Sequence, residues 1–242
     1  MTVDILAIGA HPDDIELSCG GTVAKFVADG HSVALADATE GELGTRGTAA
    51  IRTLEARKAA EVLGAKDRRN LGLPDGSIEV TQSSLLKVVT LIRELRPRLL
   101  LIPHSVDRHP DHVHTHQLCR EAWFYSGLHK IKTSLNGTQQ EAHRPDNFFE
   151  FMQWFEFDHT FVVDISSTFD KKMESIRAHA SQFHNPASAD PQTILSQPDF
   201  LQKIEARARY YGQTIGVKYG EPFFSFAPVG VRSMFDLVLS KR

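Results

Sequence analysis

Residues 3–10 are almost continuously apolar, which predicts a strand buried on both faces. The stretch CGGTVAKFVADG that follows has helical spacing closed by Gly30, and SVALADAT predicts a second strand. TAAIRTLEARKAAEVLG is a helix stopped at Gly64, DRRNLGL a short third strand before the LPDGS turn, and SSLLKVVTLIRELRP a helix ended by Pro97. RLLLIP is a fourth strand, apolar throughout. This alternation predicts an α/β fold: a Rossmann-like, mostly parallel sheet with helices on both faces. Beyond residue 130 the pattern changes. KTSLNGTQQEAHRPDN reads as a polar loop, FFEFMQWFEFDHTFVVDI as two antiparallel strands, and SSTFDKKMESIRAHASQF as a helix opened by a Ser/Thr cap. NPASADPQTILSQP is a loop, DFLQKIEARARYYGQTIG a last helix and EPFFSFAP an extended segment, so a C-terminal region with extra antiparallel strands completes the expected fold.

Composition narrows the function classes. At 242 residues with 41% apolar and 24% charged positions the chain fits one globular domain, and disorder is excluded. A net charge of −3 offers no basic patch for nucleic acid or an anionic membrane. The two cysteines, Cys19 and Cys119, form neither a disulfide framework nor a CxxC site, and no apolar run approaches the ~20 residues of a membrane span. The expected location is the cytoplasm, with no membrane partner.

Two polar clusters interrupt this plain background. AHPDDIELSCGG follows the first strand, and HSVDRHPDHVHTH, with five of the twelve histidines, follows the fourth. In a doubly wound sheet these strands are neighbours where the winding reverses, and ligands bind at their carboxyl ends. Each cluster alone reads equally well as helix capping. Together they form a His and carboxylate set of the kind that holds a catalytic cation with one position open. His11 and Asp14, three residues apart, and His112 are the expected metal ligands. Asp13 is free to take a proton from water, His109 to steady an oxyanion, and Asp111 to orient a histidine. Zn²⁺ suits these donors, as would Fe²⁺ or another divalent metal. Arg52 reads as a surface arginine or as a carboxylate ligand, His114 and His116 as surface groups, and His179 and His184 as open. EGELGTRG lacks the GxGxxG or GxxxxGK spacing of a nucleotide loop. A metal-free sugar-binding module and a purely structural metal staple are the rival readings.

The two clusters, with GELGTRGT, RTLEARKAAEVLG, NLGLPDG, SQF and IEARARYYGQTIGVKYGEPF, resemble the LmbE-like (PIG-L) zinc-dependent N-deacetylases over most of the chain. The likeness implies a single deacetylase domain over residues 1–242, acting on a small amino-sugar substrate and assembling as a homo-oligomer. It is nearest the bacillithiol branch, which implies removal of acetyl from N-acetylglucosaminyl malate; other N-acetylglucosaminides are the alternative. It repeats the roles of His11, Asp14, His112, Asp13, His109 and Asp111, with Asp111 orienting His109. It adds substrate contacts at Arg52, Glu42, Arg108 and Tyr219. Some relatives carry a tyrosine two residues before the second-cluster histidine; this chain has Asp107, so that tyrosine's role does not transfer.

Overall fold

A computed structural model describes residues 1–238. In chain order the elements are β1 (Ile5–Gly9), α1 (Asp14–Ala28), β2 (Val33–Asp37), α2 (Ala49–Leu63), β3 (Asp67–Asn70), α3 (Gln82–Leu95), β4 (Leu99–Pro103) and α4 (Pro110–Ser126). They continue with β5 (Ser134–Leu135), β6 (Thr138–Gln139), β7 (Asn147–Phe151), β8 (Phe161–Asp164), α5 (Phe169–Ala178), α6 (Phe200–Thr214) and β9 (Gly220–Phe224). The main sheet has the order β3-β2-β1-β4-β7-β9-β8. β1 lies parallel to both β2 and β4, with Ile5 opposite Leu99, so the two polar clusters leave the sheet side by side.

The uninterrupted apolar character of β1 follows from its position. Leu6 and Ile8 pack with Val88, Ile92 and Leu118 on the α3 and α4 side. Ile5 and Ala7 face Ile15, Val23 and Leu63 on the α1 and α2 side. A third cluster joins Ile165, Phe169, Ile176, Phe200 and Ile204 under α5 and α6.

Several expectations are corrected. The first helix starts at Asp14, not at Cys19; Cys19 instead breaks the helical backbone. The two strands of the aromatic run do not pair with each other, because β9 inserts between them antiparallel to both, and β7 runs parallel to β4. β7 is therefore an interior strand and cannot serve as the edge of an assembly. Thr168 does not cap α5; its hydroxyl donates to the Gly21 carbonyl at 2.8 Å, tying α5 to α1. The polar loop after residue 130 contains the small β5–β6 hairpin.

Two glycines are required by close approach. A Cβ at Gly9 would lie 3.0 Å from Asp14 Cβ, where α1 folds back over the end of β1. A Cβ at Gly21 would lie 2.7 to 3.0 Å from three atoms of Ile165. Gly21→Ala is expected to lower stability by about 1–3 kcal/mol, the range for overpacking a filled core. An unchanged denaturation midpoint would contradict this packing. Among the described residues, no helix is long and apolar enough to cross a membrane, and both cysteines are buried and free.

Candidate metal centre and active site

The loop after β1 is held by its own carboxylate. Asp14 Oδ2 accepts the backbone N–H groups of Ala10 (3.0 Å) and His11 (2.9 Å), closing a tight turn. The loop after β4 is closed by a histidine: His109 caps α4, with Pro110 in the first turn, and its Nδ1 accepts the Asp111 N–H at 3.2 Å. Capping and chemistry thus coexist in both clusters. The imidazoles of His11 and His112 come within 5.4 Å, centroid to centroid, and His109 lies 4.7 Å from His11.

Asp14 sits between the two histidines. His11 Nδ1 is 3.5 Å from Asp14 Oδ2, and His112 Nε2 is 3.3 Å from Asp14 Oδ1. A tetrahedral centre with bonds of 2.0–2.1 Å needs donors about 3.3 Å apart, so these separations fit a shared cation. The opposite nitrogens are engaged elsewhere. His11 Nε2 faces Asp75 Oδ1 at 3.0 Å and Asp111 Oδ2 at 3.3 Å, and His112 Nδ1 faces Asp107 Oδ1 at 2.7 Å. A proton on each of those nitrogens leaves His11 Nδ1 and His112 Nε2 as lone-pair donors. Two donor sets meet at His11: one with His109 and His112, the other with Asp75 and Asp111. In the second, Asp75 also accepts the Leu43 N–H and Asp111 the Gly76 N–H.

The charge balance favours a cation between His11, His112 and the Asp14 carboxylate that lies between them. Burial disfavours the charged form of His11, yet the carboxylates of Asp111, Asp14 and Asp75 raise its pKa well above the usual value. Burial acts in the same direction on His112, and Asp14 with Asp107 raises it to about 9. Without an ion the site balances its carboxylates by protonating two histidines; a divalent cation displaces those protons and does the same work.

Asp13 has no part in these contacts. Its backbone φ is 131°, a conformation rarely adopted outside glycine, and the side chain makes no cap bond to α1. Burial pushes its carboxyl up to about 6 even though Arg52 opposes the shift. The Arg52 guanidinium donates to the carbonyls of Gly41 (3.0 Å) and Pro12 (2.9 Å), with Nη2 3.5 Å from Asp13 Oδ2. His109, pushed below its usual pKa by burial and by the facing His11 and His112, is neutral with its proton on Nε2, because Nδ1 accepts the Asp111 amide.

These groups form one end of a cavity of 750 Å³. His11, Asp13, Asp14, Asp75, His109 and His112 all line it. Arg108, Trp154, Phe200, Lys203 and Arg207 line it elsewhere, with the Arg108 guanidinium 4.3 Å above the Trp154 ring. Of the expected substrate contacts, Arg52 and Arg108 reach this space. Glu42 is turned to the Pro-Asp-Gly turn after β3, where Oε1 accepts the Asp75 N–H at 2.8 Å. Tyr219 is not brought to the cavity: its ring stacks on Phe169 at 3.7 Å and its hydroxyl donates to Glu205. The Asp111 carboxylate faces His11 rather than His109, which receives only the Asp111 backbone N–H.

Other histidines are placed apart. His114 and His184 are exposed, away from the cavity lining; His116, expected at the surface, is buried, with Nδ1 bonded to the Pro103 carbonyl. His179 is buried 3.5 Å from Glu16, which pairs with Arg68; Arg68 also bonds Asp37 at 2.7 and 2.8 Å. This buried network was not foreseen from the sequence, and neither was Asp75, whose Pro-Asp-Gly setting signals a turn and nothing more.

Residues 6–123 match the family model described as PIG-L, GlcNAc-PI de-N-acetylase. The chain is 31% identical over 231 residues to the diacetylchitobiose deacetylase of Thermococcus kodakarensis, covering 90% of this chain and 80% of that protein. The crystal structure of a conserved protein from Thermus thermophilus, TT1542, matches with a TM-score of 0.85 at 35% identity, over 96% of this chain and 99% of that one. The inhibitor-bound N,N'-diacetylchitobiose deacetylase from Pyrococcus horikoshii matches with a TM-score of 0.77 at 26% identity, over 93% and 84% of the two chains.

Proposed function

The chain belongs to the PIG-L (LmbE-like) deacetylase family, and from that premise we propose that it hydrolyses the N-acetyl group of an N-acetylglucosamine derivative. The observation that carries the reading is the pair of strand-end loops that bring His11 Nδ1 and His112 Nε2 to 3.5 and 3.3 Å from Asp14, with the strained Asp13 beside them at one end of a cavity. His11, Asp14 and His112 are the ligands in this reading, and Zn²⁺ the ion, although Fe²⁺ suits the same donors. When bound, such a cation supplies Lewis acidity that lowers the pKa of water and polarises a carbonyl.

The chain's own residues do the rest. Hydrolysis adds the oxygen of water to the acetyl carbon and breaks the C–N bond, releasing acetate and a primary amine. Asp13 accepts a proton from the attacking water; its raised pKa matches that task. The His109 Nε2–H donates to the oxyanion that develops on the acetyl oxygen. Asp13 then returns its proton to the departing nitrogen. Asp75 and Asp111 hold the His11 ring, and Arg52 braces the Asp13 turn through the Pro12 carbonyl. Arg52 thereby acts on the base rather than on a substrate carboxylate.

The remainder of the cavity supports the finer part of the proposal. Arg108, Lys203 and Arg207 bring positive charge to its lining, while the lining carboxylates, Asp13, Asp14 and Asp75, belong to the metal end. This polarity suits an anionic aglycone, and N-acetylglucosaminyl malate of bacillithiol biosynthesis is our choice. Trp154, Phe200 and Lys203 lie far beyond residue 123 yet line the same cavity, which supports one deacetylase domain over residues 1–242. Exposed Met234 and Phe235 are apolar surface suited to the expected assembly of copies. A cytoplasmic location suits the two free thiols.

A panel of N-acetylglucosaminides, with and without malate, tests the function by release of primary amine from zinc-loaded protein. The malate conjugate is expected to show a kcat/KM at least about tenfold above neutral glycosides, the effect of one charge-assisted hydrogen bond. Equal turnover of all members would remove the malate assignment, and no amine from any member would remove the deacetylase.

A further inference from the structure

We propose that Asp107 is a positioning residue that holds a metal ligand and the cavity wall with one carboxylate. Its side chain is 2% exposed, and both oxygens are committed. Oδ1 faces His112 Nδ1 at 2.7 Å and accepts the His109 N–H at 3.1 Å. Oδ2 accepts the Trp154 N–H at 2.8 Å and the Phe155 N–H at 3.4 Å. The first oxygen keeps the proton of His112 on Nδ1 and so leaves Nε2, the atom facing Asp14, as a donor. The second fixes the turn after β7 that presents Trp154 to the cavity. The adjacent Arg108 adds a second tie, its guanidinium lying over the Trp154 ring.

The chemistry of a carboxylate makes this double role specific. Asp107 offers only acceptors, and the groups facing it here are all N–H donors once His112 carries its proton on Nδ1. An asparagine has one acceptor face and one donor face. It can serve His112 or the Trp154 turn, but not both. With its amide nitrogen toward His112, the ring would move its proton to Nε2 and lose the lone pair that faces Asp14. The metal end and the Trp154 wall, which come from loops some 45 residues apart, are thus registered against each other through this one side chain.

The inference rests on the reading of His112 as a metal ligand, and its test needs no turnover. The affinity of the full chain for zinc is measured by competition with a chromophoric chelator, and hydrogen exchange of the Trp154 and Phe155 amides is followed by NMR. Asp107→Ala is expected to weaken zinc binding by about 10- to 100-fold and to speed exchange at both amides by roughly tenfold. Asp107→Asn, close in size and able to fold where alanine is not tolerated, is expected to impair one readout strongly and spare the other. Wild-type values for either readout in the alanine variant, or for both in the asparagine variant, would overturn the proposal. A wild-type chain that binds no zinc would overturn it together with the ligand assignment. One that binds zinc but releases no amine would overturn the deacetylase reading alone.

Discussion

Asp13→Asn is expected to lower kcat by about 10²–10⁴-fold, the usual contribution of a positioned general base, while bound zinc and the folded state are retained. The substitution is nearly isosteric and leaves the surrounding contacts that impose φ 131° in place, so the turn is expected to be kept. It removes the basic oxygen without touching the Asp14, His11 and His112 contacts. Amine release and metal content are measured on the same preparation. Loss of activity with full metal content excludes a purely structural metal staple. Full activity would instead dismiss Asp13 as the base and point to another proton acceptor along the cavity.

Arg68→Met is expected to destabilise the protein by about 3–5 kcal/mol, because it leaves two carboxylates buried without their cation. Arg68 pairs with Glu16 and is doubly bonded to Asp37, and all three side chains are nearly inaccessible. Burial disfavours ionised Glu16, but Arg68 and then His179 hold its carboxyl down at about 2. A carboxyl depressed below its unfolded value contributes stability at neutral pH that disappears as pH falls toward 2. Asp37 works in the opposite direction: burial already raises its carboxyl although Arg68 opposes the shift, so without Arg68 the misfit at Asp37 grows and acidification relieves it. The deficit of the variant, read from urea midpoints, is therefore expected to shrink from pH 7 to pH 5. A deficit that is constant over this range would mean the loss is one of packing alone.

The meeting of the two clusters was more legible in the sequence than the residues that brace them. β1 and β4 were legible because strands buried on both faces must be apolar throughout, and the clusters were legible because polar residues interrupt such strands abruptly. Their adjacency followed from the winding rule, which the parallel register of Ile5 with Leu99 matches. Asp75, Asp107 and Arg68 were not legible. Each acts across 5 to 64 positions on a partner that only the folded chain brings near. The late strands were misjudged because alternation reports which face is buried and is silent about which strand lies alongside, so β9 could not be foreseen between β7 and β8. Tyr219 was misplaced for a related reason. The family likeness put it at the site, whereas here its ring packs on Phe169 outside the cavity lining.

The loops after β1 and β4 provide the reactive end of the cavity, and the segment after β7 together with α6 contributes Trp154, Phe200 and Lys203 to its lining. A change in the later segments would alter the wall that Trp154, Phe200 and Lys203 form while leaving the His11, Asp14 and His112 contacts in place.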